Sequence, residues 1–359
     1  MSLRLQSVCT ERAPGSLGPE LNNVSLDMPA GSFNVLLGPT GAGKTELLRA
    51  MGGLDPVSSG SLSIRDRDVT GVSVRKRDVA FVYQAFINYP EMTVHENIAS
   101  PLRVRGVSRQ DIHERVRNVA RRLDLAHLLE RKPAELSGGQ QQRVALGRAL
   151  IREAELVLLD EPLVNLDYKL REKLRADIRE LFAGRDGIVV FATSDPAEAL
   201  QLGGELFVLH EGRLLQHGAP EAVYGRPANL RSAKIVGDPP MNLLPYLIEG
   251  GVARVPGSKL EFPHTSERTR GWVGIRPHRI HLVAEPGDLR FRGAVALAEL
   301  SGSETYVHVS VGERSLIVQL HGTHTFGIDE PIEFFIYPGD LFFFDESGDL
   351  IHAPEAMTR

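Results

Sequence analysis

The sequence predicts two domains, an α/β domain with a parallel sheet over residues 1–232 and a small all-β domain over residues 233–359. Three observations carry this prediction. Short apolar segments alternate with helical patterns as far as about residue 232, which is typical of a parallel sheet. One strand-to-helix junction is a glycine-rich loop. Beyond residue 232 the chain changes to short strands broken by turns, and its 359 residues suffice for a core in each domain.

The composition excludes several classes of protein. The net charge is −5, so no basic field favours nucleic acid as the main ligand. The single cysteine, Cys9, rules out an internal disulfide and suits a reducing compartment. No apolar run approaches the roughly 18 residues of a membrane span, and the first residues lack the apolar core of a signal peptide. We therefore expect a soluble, intracellular chain.

The first elements of the chain lead to the glycine-rich loop. Residues 3–9 alternate loosely and predict an edge strand, residues 24–28 predict a second strand, and the apolar residues 33–37 predict a buried one. The loop that follows fits G-x-x-x-x-G-K-[ST] and consists of Gly38, Pro39, Thr40, Gly41, Ala42, Gly43, Lys44 and Thr45. A helical pattern then runs to Gly52-Gly53.

A strand, a glycine loop and a helix in this order predict a phosphate-binding site. Glycines let successive N–H groups point inward, and the helix start adds the positive end of its dipole. We expect Lys44 to reach the β- and γ-phosphates of a nucleotide and the Thr45 hydroxyl to ligate Mg²⁺. The alternative is a chance glycine turn, and the flanking strand and helix argue against it.

Strands and helices continue to alternate after the loop. Residues 61–64 and 79–83 predict strands, and residues 88–150 a helical subdomain. One apolar stripe in that subdomain indicates a helix face packed against a neighbour. It consists of Ile112, Val116, Val119, Ala120 and Leu123. Residues 170–181 predict an amphipathic helix, residues 188–192 a buried strand and residues 206–209 an edge strand.

An acidic pair follows the buried strand at residues 156–159. Asp160 and Glu161 stand at the carboxyl end of that strand, where α/β sheets bind ligands. Acidic residues also begin many helices, so the pair alone is weak evidence. Because it follows a phosphate loop, we expect Asp160 to hold Mg²⁺ through water and Glu161 to lie beside the water that attacks the γ-phosphate.

The C-terminal third predicts a small β-barrel. A linker at residues 237–240 precedes strands at 272–275, 306–309, 316–318 and 341–344. No cluster there indicates catalysis or metal binding, and most histidines are scattered singly.

Taken together, these features resemble the ATP-binding subunit of an ABC transporter. Six motifs stand in the family's order. They are the phosphate loop, Gln84 after Val82-Tyr83, the signature (Leu136, Ser137, Gly138, Gly139 and Gln140), Leu156–Asp160 with Glu161, the D-loop (Asn165, Leu166 and Asp167), and Thr193-Ser194-Asp195 at the switch position. The resemblance implies a P-loop NTPase fold, with a RecA-like core plus antiparallel β and helical subdomains.

The C-terminal third resembles the OB-type, TOBE-like regulatory domain of carbohydrate-uptake importers. The stretches 239–242, 274–278 and 302–305 carry this likeness, which points to the group that includes maltose and glycerol-phosphate importers. The solute implied is a sugar, a polyol, glycerol or glycerol phosphate. The sequence does not name it, because selectivity lies in other subunits.

The resemblance also implies a mechanism and a set of partners. Two ATPase subunits would pair head to tail, with ATP between the phosphate loop of one and the signature of the other. Glu161 and Gln84 would act in hydrolysis, Thr45, Gln84 and Asp160 would surround Mg²⁺, and Asp167 would lie near the nucleotide. The partners would be a second ATPase subunit, two membrane permeases and an external solute-binding protein, with this chain peripheral on the cytoplasmic side of the plasma membrane.

The sequence departs from the family pattern around the nucleotide that this chain would hold. Ser194 stands where a histidine normally contacts the γ-phosphate, and losing one such donor typically costs on the order of 10²–10³ in rate. Arg12 stands where an aromatic residue usually stacks on adenine, and its guanidinium would stack there in its place, though weakly. Glu46 replaces a hydroxyl residue and would lie near the α-phosphate. Val164 replaces a common D-loop serine.

Three interpretations follow. The one we favour is a heterodimer in which this chain's own site hydrolyses slowly while its intact signature completes the partner's site. The second is neutral drift in an ordinary homodimeric ATPase. The third is a nucleotide-binding structural or regulatory subunit with little turnover; retention of Glu161 argues for an enzyme, and loss of the histidine for a binder. A DNA-repair or translation protein of this family would carry a coiled coil, a second cassette or a basic surface, none of which the sequence indicates.

Overall fold

The computed structural model describes residues 2–11, 19–85, 87–164, 166, 168–263 and 269–355. The chain divides into two compact units, Met1–Pro220 and Glu221–Arg359. Within the described ranges, each helix is either too short or too polar to span a bilayer.

The first unit combines two sheets with a group of helices. Its elements are β1 (Ser2–Cys9), β2 (Val24–Pro29), β3 (Phe33–Leu37), α1 (Lys44–Gly52), β4 (Ser59–Ile64), β5 (Arg67–Asp68), β6 (Val79–Val82), α2 (Val94–Val104), α3 (Arg109–Arg122), α4 (Gly138–Arg152), β7 (Leu156–Asp160), α5 (Tyr168–Phe182), β8 (Ile188–Thr193), α6 (Pro196–Leu202), β9 (Glu205–His210) and β10 (Arg213–Gly218).

The central sheet confirms the predicted α/β domain. Its six strands lie in the order β10-β9-β3-β8-β7-β6, and all neighbours pair in parallel except β9 and β10. Strands β7 and β8 are buried along their whole length, as expected for a parallel sheet covered on both faces. The carboxyl ends of β3, β8 and β7 therefore meet at one edge of the sheet.

Two predicted edge strands lie inside sheets instead, so those predictions were wrong. Strand β1 pairs with β2 on one side and β4 on the other, within an antiparallel sheet of order β2-β1-β4-β5. Strand β9 lies between β3 and β10. Alternating polarity reports how many faces of a strand are buried, but it does not report how many neighbours the strand has.

The predicted helical subdomain lies between β6 and β7. Helices α2, α3 and α4 pack against one another there. All five residues of the predicted apolar stripe on and after α3 are buried, which confirms their packing role.

The second unit is all-β apart from its first helices. Its elements are α7 (Pro220–Gly225), α8 (Leu230–Ile235), β11 (Asn242–Glu249), β12 (Val252–Arg254), β13 (Glu261–Pro263), β14 (Arg270–Ile275), β15 (Ile280–His281), β16 (Leu289–Ser301), β17 (Glu304–Val311), β18 (Arg314–His321), β19 (Pro331–Ile336), β20 (Phe342–Phe344) and β21 (Leu350–His352). One sheet has the order β13-β12-β11-β14-β20-β21 and the other β15-β19-β16-β17-β18. Their strand pairs are antiparallel and enclose one apolar core, which confirms the predicted OB-type domain.

The division between the units falls before the predicted boundary at residue 232. Helix α8 packs with the β-domain through Ala233, which shares an apolar cluster with Met241 and Phe342, and a buried arginine after β14 also holds this segment. Arg276 donates to the carbonyl oxygens of Tyr224 (2.8 Å) and Ala233 (3.2 Å), and its guanidinium lies 3.9 Å from the centre of the Tyr224 ring. Sequence patterns placed these helices with the preceding α/β segment because they carry no signal of this distant partner.

Candidate functional site

The glycine loop between β3 and α1 has the backbone shape that an anion requires. Gly41 and Gly43 have φ values of 79° and 101°, and Gly43 directly precedes the first residue of α1. A Cβ atom at Gly38 would lie 2.5 Å from the carbonyl oxygen of Leu209. Glycine is thus needed for conformation at two positions and for close approach at the third. The loop ends at the positive end of a helix dipole, where a phosphate is favoured.

Lys44 connects this loop to the acidic pair. Its side chain is 5% exposed, and its Nζ donates to the carbonyl oxygens of Gly38 (2.9 Å) and Pro39 (3.2 Å). The same ammonium lies 3.2 Å from Glu161 Oε1. A γ-phosphate at this position would compete with Glu161 for the lysine charge.

Thr45 and Asp160 form the second link between the loop and the end of β7. The Thr45 hydroxyl lies 2.9 Å from Asp160 Oδ2 and 3.1 Å from Oδ1. Burial raises the pKa of the Asp160 carboxyl, and the charges of Glu161 and Glu46 act in the same direction, whereas the Thr45 hydrogen bond and Lys44 lower this pKa. A buried carboxylate whose ionised form is penalised in this way gains from a nearby cation.

The oxygen atoms of Thr45 and Asp160 fit the ligand preference of Mg²⁺. Within the described ranges, no three histidine, cysteine, aspartate or glutamate side chains are grouped closely enough to hold a metal ion by themselves. A magnesium ion at this site would therefore take its other ligands from nucleotide phosphates and water, as Mg²⁺ does in nucleotide sites generally.

Glu161 is held in an unusual backbone conformation beside Gln84. Its φ is +44°, in the left-handed region, and its N–H donates to the carbonyl oxygen of Ala192 in β8 (3.0 Å). Gln84 Nε2 lies 3.3 Å from Glu161 Oε2. Strain of this kind concentrates at functional sites, where the surrounding structure fixes it.

Ser194 follows the last residue of β8 and lies next to the phosphate loop. Thr193 pairs with Leu37 of β3, and its carbonyl oxygen accepts the N–H of Gly38 (3.4 Å). Asp160 pairs with Ala192. The ends of β3, β7 and β8 thus bring the predicted Gly38, Glu161 and Ser194 together, and Ser194 is half-buried.

The signature lies at the start of α4. Ser137 caps the helix, accepting from the Gln140 N–H (3.4 Å), while the Gln140 side chain accepts the Ser137 N–H (2.9 Å). Ser137 is exposed, and Gly138 and Gly139 form the first turn. This helix start presents N–H groups and a positive dipole end at the surface of the unit.

Two further predicted site residues, Arg12 and Asp167, lie outside the described residues. Val164, the departure in the D-loop, is 44% exposed. Glu46 is half-buried in the first turn of α1, on the same turn as Thr45.

Sequence reasoning missed a set of charged residues behind Ser194. Glu198 on α6 is 3% exposed and accepts a hydrogen bond from the Thr193 hydroxyl. Arg171 on α5 donates to Asp195. The available signal was the spacing of Arg171, Arg175 and Arg179, which lie four residues apart and so share one face of α5.

Comparisons with known proteins agree with this geometry. The ABC transporter family matches residues 21–164, and the TOBE domain matches residues 273–344. The sn-glycerol-3-phosphate import ATP-binding protein UgpC of Rhizobium meliloti is 39% identical over 332 residues, covering 91% of this chain and 94% of that protein. The trehalose/maltose import ATP-binding protein MalK of Thermococcus litoralis is 42% identical over 313 residues, covering 81% and 84%.

A solved structure is similar to part of the chain. It is a dimeric, post-hydrolysis state of the ATP-binding cassette MJ0796 bound to ADP and Pi, with a TM-score of 0.54 and 29% identity, and it covers 60% of this chain and 98% of that one. The relatives are matched over nearly their whole length at well above 30% identity. The chain therefore belongs to the ABC transporter family, as a transport ATPase of the import group that carries a TOBE domain.

Proposed function

We propose that this chain hydrolyses ATP to drive import of a sugar, a polyol, glycerol or glycerol phosphate. The observation that carries the proposal is the meeting of Lys44, Thr45, Asp160 and Glu161 at the ends of β3 and β7. The names of the relatives, which concern glycerol phosphate, trehalose and maltose, support the choice of solutes. The chain would act peripherally, on the cytoplasmic side of a membrane, with two permeases and an external solute-binding protein.

Each residue at this edge of the sheet has a chemical task in the proposal. Magnesium, held by Thr45 and Asp160, would neutralise charge on the phosphates. Lys44 would leave Glu161 and bind the β- and γ-phosphates instead. The Glu161 carboxylate would then be available to orient the attacking water and accept its proton. Gln84 lies within reach of Glu161 and would fix its side chain and that water.

We further propose that the chain works as the slower half of a heterodimer. All the departures from the family pattern concern nucleotide held by this subunit, and Ser194 is the most consequential of them. The signature residues Ser137 and Gly139, which would act on the partner's nucleotide, are retained at an exposed helix start. A short hydroxyl at Ser194 would reach the γ-phosphate only through water, so turnover at this chain's own site would be slow.

Two substitutions test the asymmetry in the reconstituted transporter. Lys44→Ala removes the phosphate-loop charge of this chain's own site, and Ser137→Arg blocks the site that its signature completes. We expect ATP turnover to stay near normal in the first and to be abolished in the second. Lys76→Ala, an exposed lysine of the same unit, serves as the control and should change nothing. Equal loss from Lys44→Ala and Ser137→Arg would contradict the heterodimer and favour a homodimer.

Native mass spectrometry of the tagged transporter counts the subunits independently. One copy of this chain beside a different ATPase supports the proposal, whereas two copies contradict it. The position of Ser194 also favours a second candidate, a nucleotide-binding subunit with little turnover. That candidate predicts little hydrolysis in the unsubstituted transporter, although ATP still closes its dimer. Neither Lys44→Ala nor Ser137→Arg would then lower transport-coupled hydrolysis.

A further inference from the structure

The end of β8 is enclosed by a ring of four side chains, here called the β8 ring: Thr193, Asp195, Glu198 and Arg171. The Thr193 hydroxyl donates to Glu198 Oε2 and accepts the Asp195 N–H (3.0 Å). Asp195 Oδ1 accepts the Glu198 N–H (3.0 Å), which caps α6. Asp195 Oδ2 accepts from Arg171 Nη2, and Arg171 Nε lies 3.7 Å from Glu198 Oε1.

The β8 ring places a carboxylate where it is costly. Glu198 and Thr193 are 3% and 2% exposed. Among the described residues, Glu198 Oε1 and Arg171 Nε have no hydrogen-bond partner, although their charges face each other. A buried charge that is only partly hydrogen-bonded destabilises a fold, so its presence here points to a role beyond packing.

The β8 ring also connects three parts of the nucleotide site. The Thr193 carbonyl oxygen accepts the N–H of Gly38, and the residue before it accepts the N–H of Glu161. Arg171 stands in the first turn of α5, the helix that follows the D-loop. Arg179 lies further along α5, and Gly203 directly follows α6. A Cβ atom at Gly203 would lie 2.7 Å from Arg179 Nη1, so the arginine face of α5 packs on the segment that contains α6.

Ser194 lies between two members of the β8 ring. Its backbone is fixed on one side by the Thr193 hydroxyl and on the other by the Asp195 cap and the Arg171 ion pair. A serine that acts through a bridging water depends on backbone position more than a longer side chain would, since it cannot adjust by rotation about further bonds.

We infer that Glu198 and Arg171 are positioning residues for ATP hydrolysis, which hold residue 194 at the γ-phosphate edge of the sheet and link it to α5. The inference rests on the proposed function, because it requires that this site hydrolyses ATP.

The test measures steady-state ATP hydrolysis in the reconstituted transporter, with the second ATPase subunit inactivated at its own phosphate-loop lysine. Glu198→Ala should lower kcat about tenfold and leave the KM for ATP within twofold, because Lys44 and the phosphate loop are untouched. Glu198→Gln keeps an acceptor for Thr193 and should lose less. Glu180→Gln, on an exposed part of α5, is the matched control and should behave as wild type.

A double variant separates positioning from a general structural role. If Glu198 acts through residue 194, then Glu198→Ala should cause no further loss in a Ser194→Ala background. Additive losses would overturn the inference, as would an equal rise in KM. Arg171→Lys, which keeps the charge but not the planar fork, should reproduce the loss in kcat with the same dependence on Ser194.

Hydrogen exchange gives a readout that does not require turnover. The N–H groups of Asp195 and Glu198 are bonded within the β8 ring, so a peptide spanning residues 191–200 should exchange faster in Glu198→Ala than in Glu198→Gln or wild type. Unchanged exchange would overturn the inference. If the wild-type transporter fails to hydrolyse ATP while this exchange pattern holds, the proposed function fails and the ring geometry stands.

Discussion

Ser194→His should raise ATP hydrolysis at this chain's own site by about 10²-fold. Thr193 pairs with Leu37 just before the phosphate loop, so residue 194 already lies beside the proposed γ-phosphate position. From a common Cα, a histidine Nε2 reaches roughly 2 Å further than a serine Oγ. That difference replaces a water-mediated contact by a direct one.

The magnitude follows from what one preorganised donor contributes. Removing such a donor typically costs on the order of 10²–10³ in rate. We expect the lower end, about 2.7 kcal/mol of barrier, because Glu46 and the other departures remain in place. The backbone that would carry the imidazole is already fixed by the hydrogen bonds of Thr193 and Asp195.

The assay is single-turnover hydrolysis of labelled ATP in the purified transporter, with the other ATPase site inactivated at its lysine. ATP affinity is measured in parallel, because the substitution should alter the transition state more than the bound ground state. Ser194→Ala is the control and should fall by much less than 10²-fold. The reasoning is refuted if Ser194→His binds ATP normally but hydrolyses it no faster. It is also refuted if Ser194→Ala lowers the rate of hydrolysis by about 10²-fold or more, as the loss of a direct donor would.

Three further predictions concern single residues. Glu161→Gln should lower kcat by about 10²–10⁴-fold while ATP still binds, since it removes the proposed base; rapid-quench kinetics and nucleotide retention measure both effects. Asp160→Asn should raise the free energy of unfolding of the nucleotide-free chain at pH 7, and this gain should shrink toward pH 4. The reason is that the raised pKa of Asp160 destabilises the fold only at pH values where the carboxyl is ionised in the unfolded chain. Urea unfolding at both pH values checks the sign. Arg276→Met should destabilise the second unit by roughly 2–4 kcal/mol, because it leaves one buried and one partly buried carbonyl oxygen without their donor; urea unfolding followed by the fluorescence of Trp272 measures the change.

Local patterns were sufficient to predict the parts of the site that lie within single loops. The phosphate loop depends on glycines at fixed spacing, and the structure places two of them at positive φ. The prediction for the Asp160-Glu161 pair depends only on acidic residues that directly follow a buried strand. Both are short-range features, because the constraint and the residues that meet it lie within about ten positions of one another.

Long-range features could not be predicted in the same way. Whether β9 is an edge depends on β10 turning back beside it, and the polarity of β9 contains no record of that neighbour. Burial of Glu198 depends on the packing of α5 against α6. The sequence around Glu198 shows only a glutamate in a helical pattern, which does not distinguish a buried glutamate from an exposed one. The assignment of α8 to the second unit depends on Arg276, whose partners lie 43 and 52 positions away.

The arrangement of strand ends supports the proposal that the departures act on one nucleotide. Gly38 and Glu161 donate their N–H groups to Thr193 and Ala192 of β8, the strand that Ser194 follows, so a change at any of these positions would act on a phosphate bound by this chain. Ser137 belongs to a different element, the exposed start of α4, and its hydrogen bonds are to Gln140 and Gln141 of that helix. Substitutions can therefore accumulate at the strand ends without altering the signature. In the proposed heterodimer, this physical separation would allow the chain to lose hydrolysis at its own site while its signature still completes the site of a partner.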